Sequence, residues 1–320
     1  MKLASLALAS LSLAALAVPA SAETVKIGLQ PWLGYGPLWI ADQKGFFKEN
    51  GVDVQLINFT WDQDVAAALA SGNIQVISAA TNTVILNMNN GVDLKAFMIM
   101  DGSTTADAVL AGKDVATITD LKGKSVAYEK GSTSDLLINY ALNSNGLTLA
   151  DVEAVPIAAA DAGLALIAGR VDVAVTYEPY ISAALAQGPE FKVLYTAGEK
   201  PGLISDVLAA ETSFIAGNQQ DLVGIIKAWD EAVTFLRDNP EEGGKIIADA
   251  VGSPIEEFNT AFAGVHLYDR AENDAALKGE FQATVEEIGS IMQQANPDEV
   301  KTLPTGETFF DLTALSAAAQ

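Results

Sequence analysis

The sequence predicts an α/β fold with two lobes and a ligand cleft between them. From Thr24 onward, short apolar strands alternate with helical stretches, which is typical of parallel sheets with helical crossovers. This strand and helix pattern occurs twice along the chain. The chain also has 320 residues, and a single hydrophobic core rarely serves a chain of that length. Two similar lobes therefore account for the pattern better than one domain.

The first 22 residues have the composition of a signal peptide. Lys2 supplies the positive start, residues 3–18 are almost wholly apolar, and Ala20-Ser21-Ala22 offers a small-x-small cleavage site. The apolar run is too short to be a good membrane span, so an uncleaved anchor is the weaker alternative. We expect cleavage after Ala22 and an exported mature protein.

The first strands and helices follow directly. Apolar runs bounded by glycine and polar residues predict strands, and longer stretches ended by glycine predict helices. In chain order they are a strand at Val25–Leu29, a helix at Leu38–Asn50 broken by Gly45, a strand at Val52–Phe59, a helix at Asp64–Ala70 and a strand at Ile74–Ser78.

A helix–glycine–strand unit in this region has an echo further on. Residues 67–76, with Gly72 at the turn, resemble residues 165–173, with Gly169 at the turn. Two copies indicate two similar lobes, since a solenoid would need many. Chance similarity between common strand–helix units remains the alternative.

The chain passes between the lobes twice. A strand at Leu94–Met100 runs into a polar, turn-rich segment, and Pro201-Gly202 precedes another apolar run. We therefore expect lobe one to comprise residues 23–101 and 206–320, and lobe two to comprise residues 102–205. The end of lobe one should be a helical tail, with helices at Leu222–Leu236, Glu242–Asp249, Ile255–Ala263 and Asp274–Gln294.

Composition excludes several classes of function. A formal net charge of −23 disfavours nucleic acid and anionic membrane surfaces as partners. With no cysteine and a single histidine, His266 in the predicted tail, the usual zinc sites and the serine–histidine and cysteine–histidine nucleophile systems are missing. No dinucleotide or P-loop motif is present, so we expect no cofactor and no metal.

One enzymatic alternative stays open. Paired carboxylates among Asp101, Asp107, Glu178 and Asp206 would be compatible with hydrolase chemistry.

The candidate ligand site lies in loops that follow strands, because ligands of open α/β sheets bind beyond the carboxyl ends of the strands. Each loop offers aromatic faces, neutral hydrogen-bonding groups or a carboxylate. Each also has a structural alternative: the aromatic rings as core, Ser132 as a helix cap, and Glu178 as the partner of a surface lysine. The candidates are Trp32 and Tyr35, Asn82 and Thr83, Ser132 and Thr133, and Glu178, together with Asp101 and Asp107 at the crossover.

Four stretches carry a resemblance to a known family. They read WLGYGPLWIADQKGFFKENGVDV (32–54), AAALASGNIQVISAATN (66–82), DLKGKSVAYEKGSTSDLL (120–137) and AGRVDVAVTYEPY (168–180). In this order they resemble the periplasmic substrate-binding proteins of ABC importers, of the nitrate, sulfonate and taurine type that includes pyrimidine-precursor binders. The resemblance covers essentially the whole mature chain.

The resemblance implies a type II periplasmic-binding-protein fold that closes on a small-molecule ligand by hinge motion. It also implies a membrane permease and an ATPase as partners, a periplasmic location and no enzymatic activity. We expect a monomer. Pyrimidine synthases of the yeast type share this fold, but this chain lacks the histidine and the cysteine-rich segment that they use. A sensory ligand-binding module is a further alternative to a transport protein.

The expected ligand carries a positive group. The chain has only three arginines, Arg170, Arg237 and Arg270, and the candidate loops contain none of them. A buried carboxylate next to an anion is costly, whereas pairing it with an ammonium is favourable, and aromatic faces also attract cations. Taurine or a related zwitterionic or amine-bearing solute is therefore preferred. An alkanesulfonate, nitrate or a pyrimidine precursor is the alternative.

Overall fold

The computed structural model describes residues 24–319. The predicted signal peptide, residues 1–22, lies outside the described residues. None of the described helices combines the length and the apolar character needed to cross a membrane.

Six strands form the first sheet, in the order β11-β4-β10-β3-β1-β2. Strand β1 pairs in parallel with β2 and β3, whereas β10 and β11 run antiparallel to their neighbours. The strands are β1 (Val25–Leu29), β2 (Val54–Asn58), β3 (Val76–Ala80), β4 (Leu94–Ser103), β10 (Ser205–Glu211) and β11 (Val265–Leu267).

Five strands form the second sheet, in the order β7-β6-β8-β5-β9. Strand β6 pairs in parallel with β7 and β8, and β5 runs antiparallel to β8 and β9. The strands are β5 (Asp107–Ala111), β6 (Ser125–Tyr128), β7 (Glu153–Pro156), β8 (Val173–Tyr177) and β9 (Lys192–Thr196).

The two sheets repeat one topology. The first sheet contains the strand order β2-β1-β3-β10-β4, which corresponds to β7-β6-β8-β5-β9 in the second sheet. In each sheet, three parallel strands are followed by an antiparallel strand, β10 or β5, and the chain enters that strand directly from the other sheet. The repeated helix–glycine–strand unit is present in both, with Gly72 and Gly169 at φ +72° and +65°. Left-handed backbone of this kind is what glycine supplies at a helix end.

Helices cover both sheets, and we name each sheet with its helices a lobe. Lobe one carries α1 (Gly36–Lys44), α2 (Phe46–Glu49), α3 (Asp62–Ala70), α4 (Thr81–Asn89), α8 (Thr212–Gly217), α9 (Gln219–Asp238), α10 (Pro240–Val251), α11 (Ile255–Phe262), α12 (Arg270–Leu277), α13 (Phe281–Ala295), α14 (Gly306–Phe309) and α15 (Thr313–Ala318). Lobe two carries α5 (Thr133–Ser144), α6 (Ala159–Ile167) and α7 (Tyr180–Leu185).

Buried aliphatic strands form the core. All five residues of β3 are buried, as are all five of β5, so both strands pack helices on their two faces. In the tail, α9 packs on α1 and α15, which brings the end of the chain back onto lobe one.

Two predictions about the tail are wrong. The predicted helix Asp274–Gln294 is two helices, α12 and α13, separated at Lys278–Glu280, where Gly279 interrupts the helical stretch. His266 lies on strand β11 opposite Gly102 of β4 rather than in a helix. A strand of three residues is too short to show the alternation that marks a strand in sequence.

Candidate functional site

A cavity lies between the two lobes. Loops and helix starts at the ends of strands from both sheets form its wall, which is where this architecture binds ligands. The residues that line it are Gln30, Trp32, Tyr35, Asp62, Ala80 and Asp206 from lobe one, and Asp107, Glu129, Ser132, Thr133, Ala159 and Tyr177 from lobe two.

Two aromatic side chains form the wall of lobe one, and buried carboxylates hold them. The Trp32 indole Nε1 donates to Asp101 Oδ1 at 3.1 Å, and the Tyr35 hydroxyl donates to Asp206 Oδ1 at 2.8 Å. Gly34 lies between these rings, where a Cβ would overlap the Asp101 carboxylate and the Trp32 indole nitrogen. The sequence therefore needs glycine there to bring ring and carboxylate together.

A second pair of carboxylates joins the lobes. Glu129 of lobe two accepts from the backbone N–H of Asp62 in lobe one at 2.7 Å, and from the N–H of Ala159 in its own lobe at 3.0 Å. The Asp62 carboxylate accepts from Gln30 Nε2 and from the Thr83 hydroxyl. Every oxygen of this pair thus has a hydrogen bond.

Further contacts across the cleft show that the lobes are closed. Asn82 Nδ2 donates to the Ser132 carbonyl at 2.9 Å, and the Thr83 hydroxyl donates to the Gly131 carbonyl at 3.4 Å. The rings of Trp32 and Tyr177 meet edge to face, with centroids 5.7 Å apart. The Lys130 ammonium pairs with Glu299 Oε1 at 2.6 Å on the outside of the cleft.

Asp107 differs from the other carboxylates of the cavity. It is the first residue of β5, directly after the chain has crossed from lobe one, and it is 4% exposed. Its Oδ2 atom is buried without a hydrogen-bond partner in the part of the chain that the structure describes. Buried polar atoms in native proteins nearly always have a partner, so this atom needs an explanation.

The cavity is acidic throughout. Of the described residues that line it, four are Asp or Glu and none is Lys or Arg. Burial raises the pKa of Asp107 to about 7 and that of Asp206 to about 6. Burial, and after it the neighbouring Glu129 carboxylate, raises the pKa of Asp62 to about 8. The closed cavity therefore holds protons near neutral pH, and a cation would displace them.

The carboxyl groups of Asp101 and Asp206 hold the aromatic rings of lobe one, and the two residues are paired across strands β4 and β10. Burial and the Asp206 charge raise the pKa of Asp101 well above its usual range. Burial also raises the pKa of Asp206, whereas the hydrogen bond from the Tyr35 hydroxyl favours its ionised form at the cavity wall.

Five of the nine predicted site residues line the cavity: Trp32, Tyr35, Asp107, Ser132 and Thr133. Ser132 also begins α5, where its hydroxyl accepts from the Ser134 N–H at 3.1 Å. The helix-cap alternative for Ser132 is therefore confirmed, and its role as a ligand contact stays a prediction.

The other four predicted residues lie close to the cavity without lining it. Asn82 and Thr83 bridge to lobe two through backbone carbonyls, and Asp101 lies behind Trp32. Both oxygens of Glu178 accept from Ser182, at 3.0 Å from its N–H and 2.9 Å from its hydroxyl, which places this carboxylate at the first turn of α7.

Several cavity residues are absent from the predicted set, notably Asp62, Glu129 and Tyr177. Glu129 follows β6 directly, so the rule that ligands bind beyond the carboxyl ends of strands also applies to it. Asp62 is the first residue of α3, two residues before the predicted start of that helix. Acidic residues are common at the starts of helices, so the sequence position of Asp62 does not predict that it lines a ligand site.

Fold and cavity together define a two-lobed binding protein of the type II periplasmic architecture. Among residues 24–319, no group of three or more histidines, cysteines or carboxylates could hold a metal ion. The chain belongs to the NMT1/THI5-like family, which it matches over residues 33–243.

Relatives and solved structures agree with this assignment. The chain is 29% identical over 258 residues to an Escherichia coli protein named as an aliphatic sulfonates-binding protein, covering 79% of this chain and 80% of the relative. It is 25% identical over 143 residues to the E. coli taurine-binding periplasmic protein, covering 45% of each chain. The crystal structure of the E. coli periplasmic aliphatic sulphonate binding protein SsuA has the same fold, with a TM-score of 0.74, 22% identity and 91% and 92% of the two chains covered. These proteins are binding proteins rather than enzymes.

Proposed function

We propose that this protein is the exported solute-binding component of an ABC importer, and that its ligand is a small amine-bearing solute of the taurine type or an organic cation. The observation that carries the ligand class is the cavity wall, where four carboxylates and three aromatic rings occur without a lysine or arginine. Carboxylates pair favourably with ammonium groups, and aromatic faces attract them.

Burial strengthens this argument. Three of the four cavity carboxylates, Asp107, Glu129 and Asp206, are buried, Asp62 is partly buried, and repulsion from neighbouring carboxylates adds to the cost of ionising Asp62 and Asp107. Nitrate or a simple sulfonate would add a further negative charge to the same space. An ammonium group instead neutralises that charge and supplies N–H donors to carboxylate oxygens.

An aminosulfonate also has an anionic end, and the cavity offers one place for it. Thr133 lines the cavity at the first position of α5, a helix of 12 residues whose N-terminus carries partial positive charge. The names of the two curated relatives, for sulfonate and taurine binding, support a ligand with such an end. Taurine joins both groups through two methylene groups.

The remaining parts of the proposal concern location and assembly. The leader at residues 1–22 and the periplasmic relatives support export with cleavage after Ala22, and a permease and an ATPase as partners. We expect the mature protein to act as a monomer. For the lobes we retain the boundaries 23–101 with 206–320 and 102–205; the change of sheet between Ser103 and Asp107 and between Thr196 and Ser205 supports them to within a few residues.

A thermal-shift comparison of four probes tests the ligand class. Taurine and ethanolamine carry an amine, whereas ethanesulfonate and nitrate do not. A bound probe at 100 times its dissociation constant should add about 2.7 kcal/mol to the free energy of unfolding. We expect stabilisation by one or both amines and little by the other two. Stabilisation by ethanesulfonate or nitrate alone would overturn the proposed ligand class.

A further inference from the structure

We infer that Asp107 is the residue that selects for the amino group, by accepting its N–H through Oδ2, and that the Asp62–Glu129 pair instead holds the lobes together. This inference rests on the proposed function and deepens it, because it divides the acidic cavity into one ligand-binding carboxylate and one closing contact. The division follows from what each carboxylate oxygen already accepts.

The Asp62–Glu129 pair has no oxygen left without a donor. Glu129 accepts two backbone N–H groups, one from each lobe, and Asp62 accepts from Gln30 and Thr83. A ligand amine that bound here would have to displace donors that the protein supplies itself. Because one of these bonds crosses the cleft, it forms when the lobes meet, whichever ligand is present.

The carboxyl pair of Asp101 and Asp206 is also largely occupied. Asp101 Oδ1 accepts from the Trp32 indole and Asp206 Oδ1 accepts from the Tyr35 hydroxyl. Asp101 Oδ2 is also buried without a partner among the described residues, but Asp101 lies behind Trp32 and does not line the cavity. Asp206 lines the cavity and so contributes negative charge to it. Its hydrogen bonds nevertheless serve to hold the aromatic wall of lobe one.

Asp107 remains, and its surroundings suit an ammonium group. Its Oδ2 is buried without a partner among residues 24–319, and it lies opposite Tyr177 in the antiparallel pairing of β5 with β8. Burial raises the pKa of Asp107, as do the negative charges of Asp206 and Glu178, whereas the hydroxyls of Ser103 and Thr133 favour its ionised form. A donor that carries positive charge satisfies the oxygen and reduces the repulsion at once.

Binding of the amine should release a proton from this residue. Burial raises the pKa of Asp107 to about 7, so this carboxyl group is partly protonated near neutral pH. An ammonium ion requires the ionised carboxylate, and the displaced proton goes to solvent. Protons released per amine bound are therefore a second readout besides affinity.

The test compares Asp107→Asn with Glu129→Gln by titration calorimetry, with taurine, ethanolamine and ethanesulfonate as probes. Asparagine keeps the shape and removes the charge, and losing a buried charge should leave the unfolding temperature unchanged or higher. We expect Asp107→Asn to weaken amine binding about 10- to 150-fold, the value of a charge-assisted hydrogen bond. Binding of ethanesulfonate should stay the same or become tighter. Glu129→Gln should weaken every probe that binds by a similar factor, because it impairs closure.

Measurements of proton release distinguish a role of Asp107 in binding the amino group from a purely structural role. Measured at pH 7 in two buffers of different ionisation enthalpy, the wild-type protein should release protons on taurine or ethanolamine binding, and Asp107→Asn should release fewer. Wild-type affinity and proton release in Asp107→Asn would overturn the inference while leaving the proposed function intact. Equal losses for amines and ethanesulfonate would also overturn it. If neither amine binds the wild-type protein, the proposed ligand class fails and this inference fails with it.

Discussion

The two walls of the cavity are built in different ways. On the lobe-one wall, the hydrogen bonds that fix the aromatic rings stay within the lobe: Trp32 to Asp101 and Tyr35 to Asp206. On the lobe-two wall, Glu129 and the carbonyls of Gly131 and Ser132 bond to residues of lobe one across the cleft. The first set does not depend on closure, whereas the second set exists only when the lobes meet.

This difference suggests that one wall determines which ligand binds and the other stabilises the closed form. A wall that keeps its hydrogen bonds when the lobes part is preorganised, so it can receive the ligand without a cost of ordering. A wall that gains bonds on closing adds stability to the closed form for any ligand that fits. Substitutions of Trp32 or Tyr35 should therefore change which ligand binds, and substitutions of the lobe-two residues that bond across the cleft, such as Glu129, should change how firmly the cleft stays closed.

The largest effect should come from Trp32→Ala. Its ring lines the cavity, meets Tyr177 across the cleft and is 6% exposed. We expect taurine or ethanolamine affinity to fall about 100-fold or more, while the unfolding free energy falls by less than the ~3–5 kcal/mol that removal of a core aromatic costs. Calorimetry and denaturant unfolding on the same variant measure both quantities.

Trp229→Ala is the matched control for that substitution. Trp229 is fully buried, and its indole nitrogen donates to the Tyr268 carbonyl at 2.9 Å, away from the cavity. It should show the full loss of stability with nearly unchanged affinity. If both tryptophan variants lost the same stability and neither lost affinity, the preorganised wall would not be a recognition surface.

The second effect concerns pH and joins the two walls. Asp62, Asp107 and Asp206 have pKa values raised to about 8, 7 and 6, so they lose protons as the pH rises through this window. A cation favours their ionised forms. Ethanolamine affinity should therefore rise between pH 6 and pH 8, by about tenfold per unit where one proton is released. Calorimetric titrations at several pH values check this, and affinity that falls as the pH rises would indicate an anionic ligand.

A smaller effect is expected at Glu178 of lobe two. Its carboxylate accepts from Ser182 at the start of α7, and it does not line the cavity. Glu178→Gln should lower the unfolding free energy by about 0.5–1.5 kcal/mol, the usual value of such a bond, and change amine affinity little. An affinity loss of tenfold or more would instead support the ligand contact that the sequence predicts for this residue.

The smallest effect should come from the ion pair on the rim of the cleft. Lys130 of lobe two and Glu299 of the tail are both partly exposed and 2.6 Å apart. Exposed pairs contribute about 0.2–1 kcal/mol, so Lys130→Ala should weaken amine binding by less than about sixfold. The weakening should disappear at high salt. A larger effect that is insensitive to salt would mean that closure depends on this rim more than on Glu129.

Much of the architecture can be predicted from sequence because its signals are local. Strand β1 is predicted residue for residue, since an apolar run between polar residues has well-marked ends. The helix ended at Gly45 and the turns at Gly72 and Gly169 follow from the left-handed backbone that glycine allows. The helices of the C-terminal tail are harder to predict, because a glycine such as Gly279 does not by itself show whether a helix bends or ends there.

The candidate site was predicted only in part because its contacts join distant segments. Position after a strand predicts Trp32 and Tyr35, and position at the crossover between the lobes predicts Asp107. The hydrogen bond from the Asp62 N–H to the Glu129 carboxylate joins residues 67 positions apart in sequence, and no local sequence pattern predicts it. Which carboxylate has a free oxygen is likewise a property of the folded cavity. Asp107 is distinguished because it lines the cavity and also has a buried oxygen without a partner among the described residues.

The antiparallel strands β5 and β10 each arrive from the other sheet, so the chain crosses between lobes at residues 104–106 and again at 197–204. Two connections between the lobes should restrict the motion of one lobe relative to the other more than a single linker would. We therefore expect the same residues to meet each time the cleft closes. A new ligand preference can therefore evolve by exchanging one side chain, with no need to re-dock one lobe on the other.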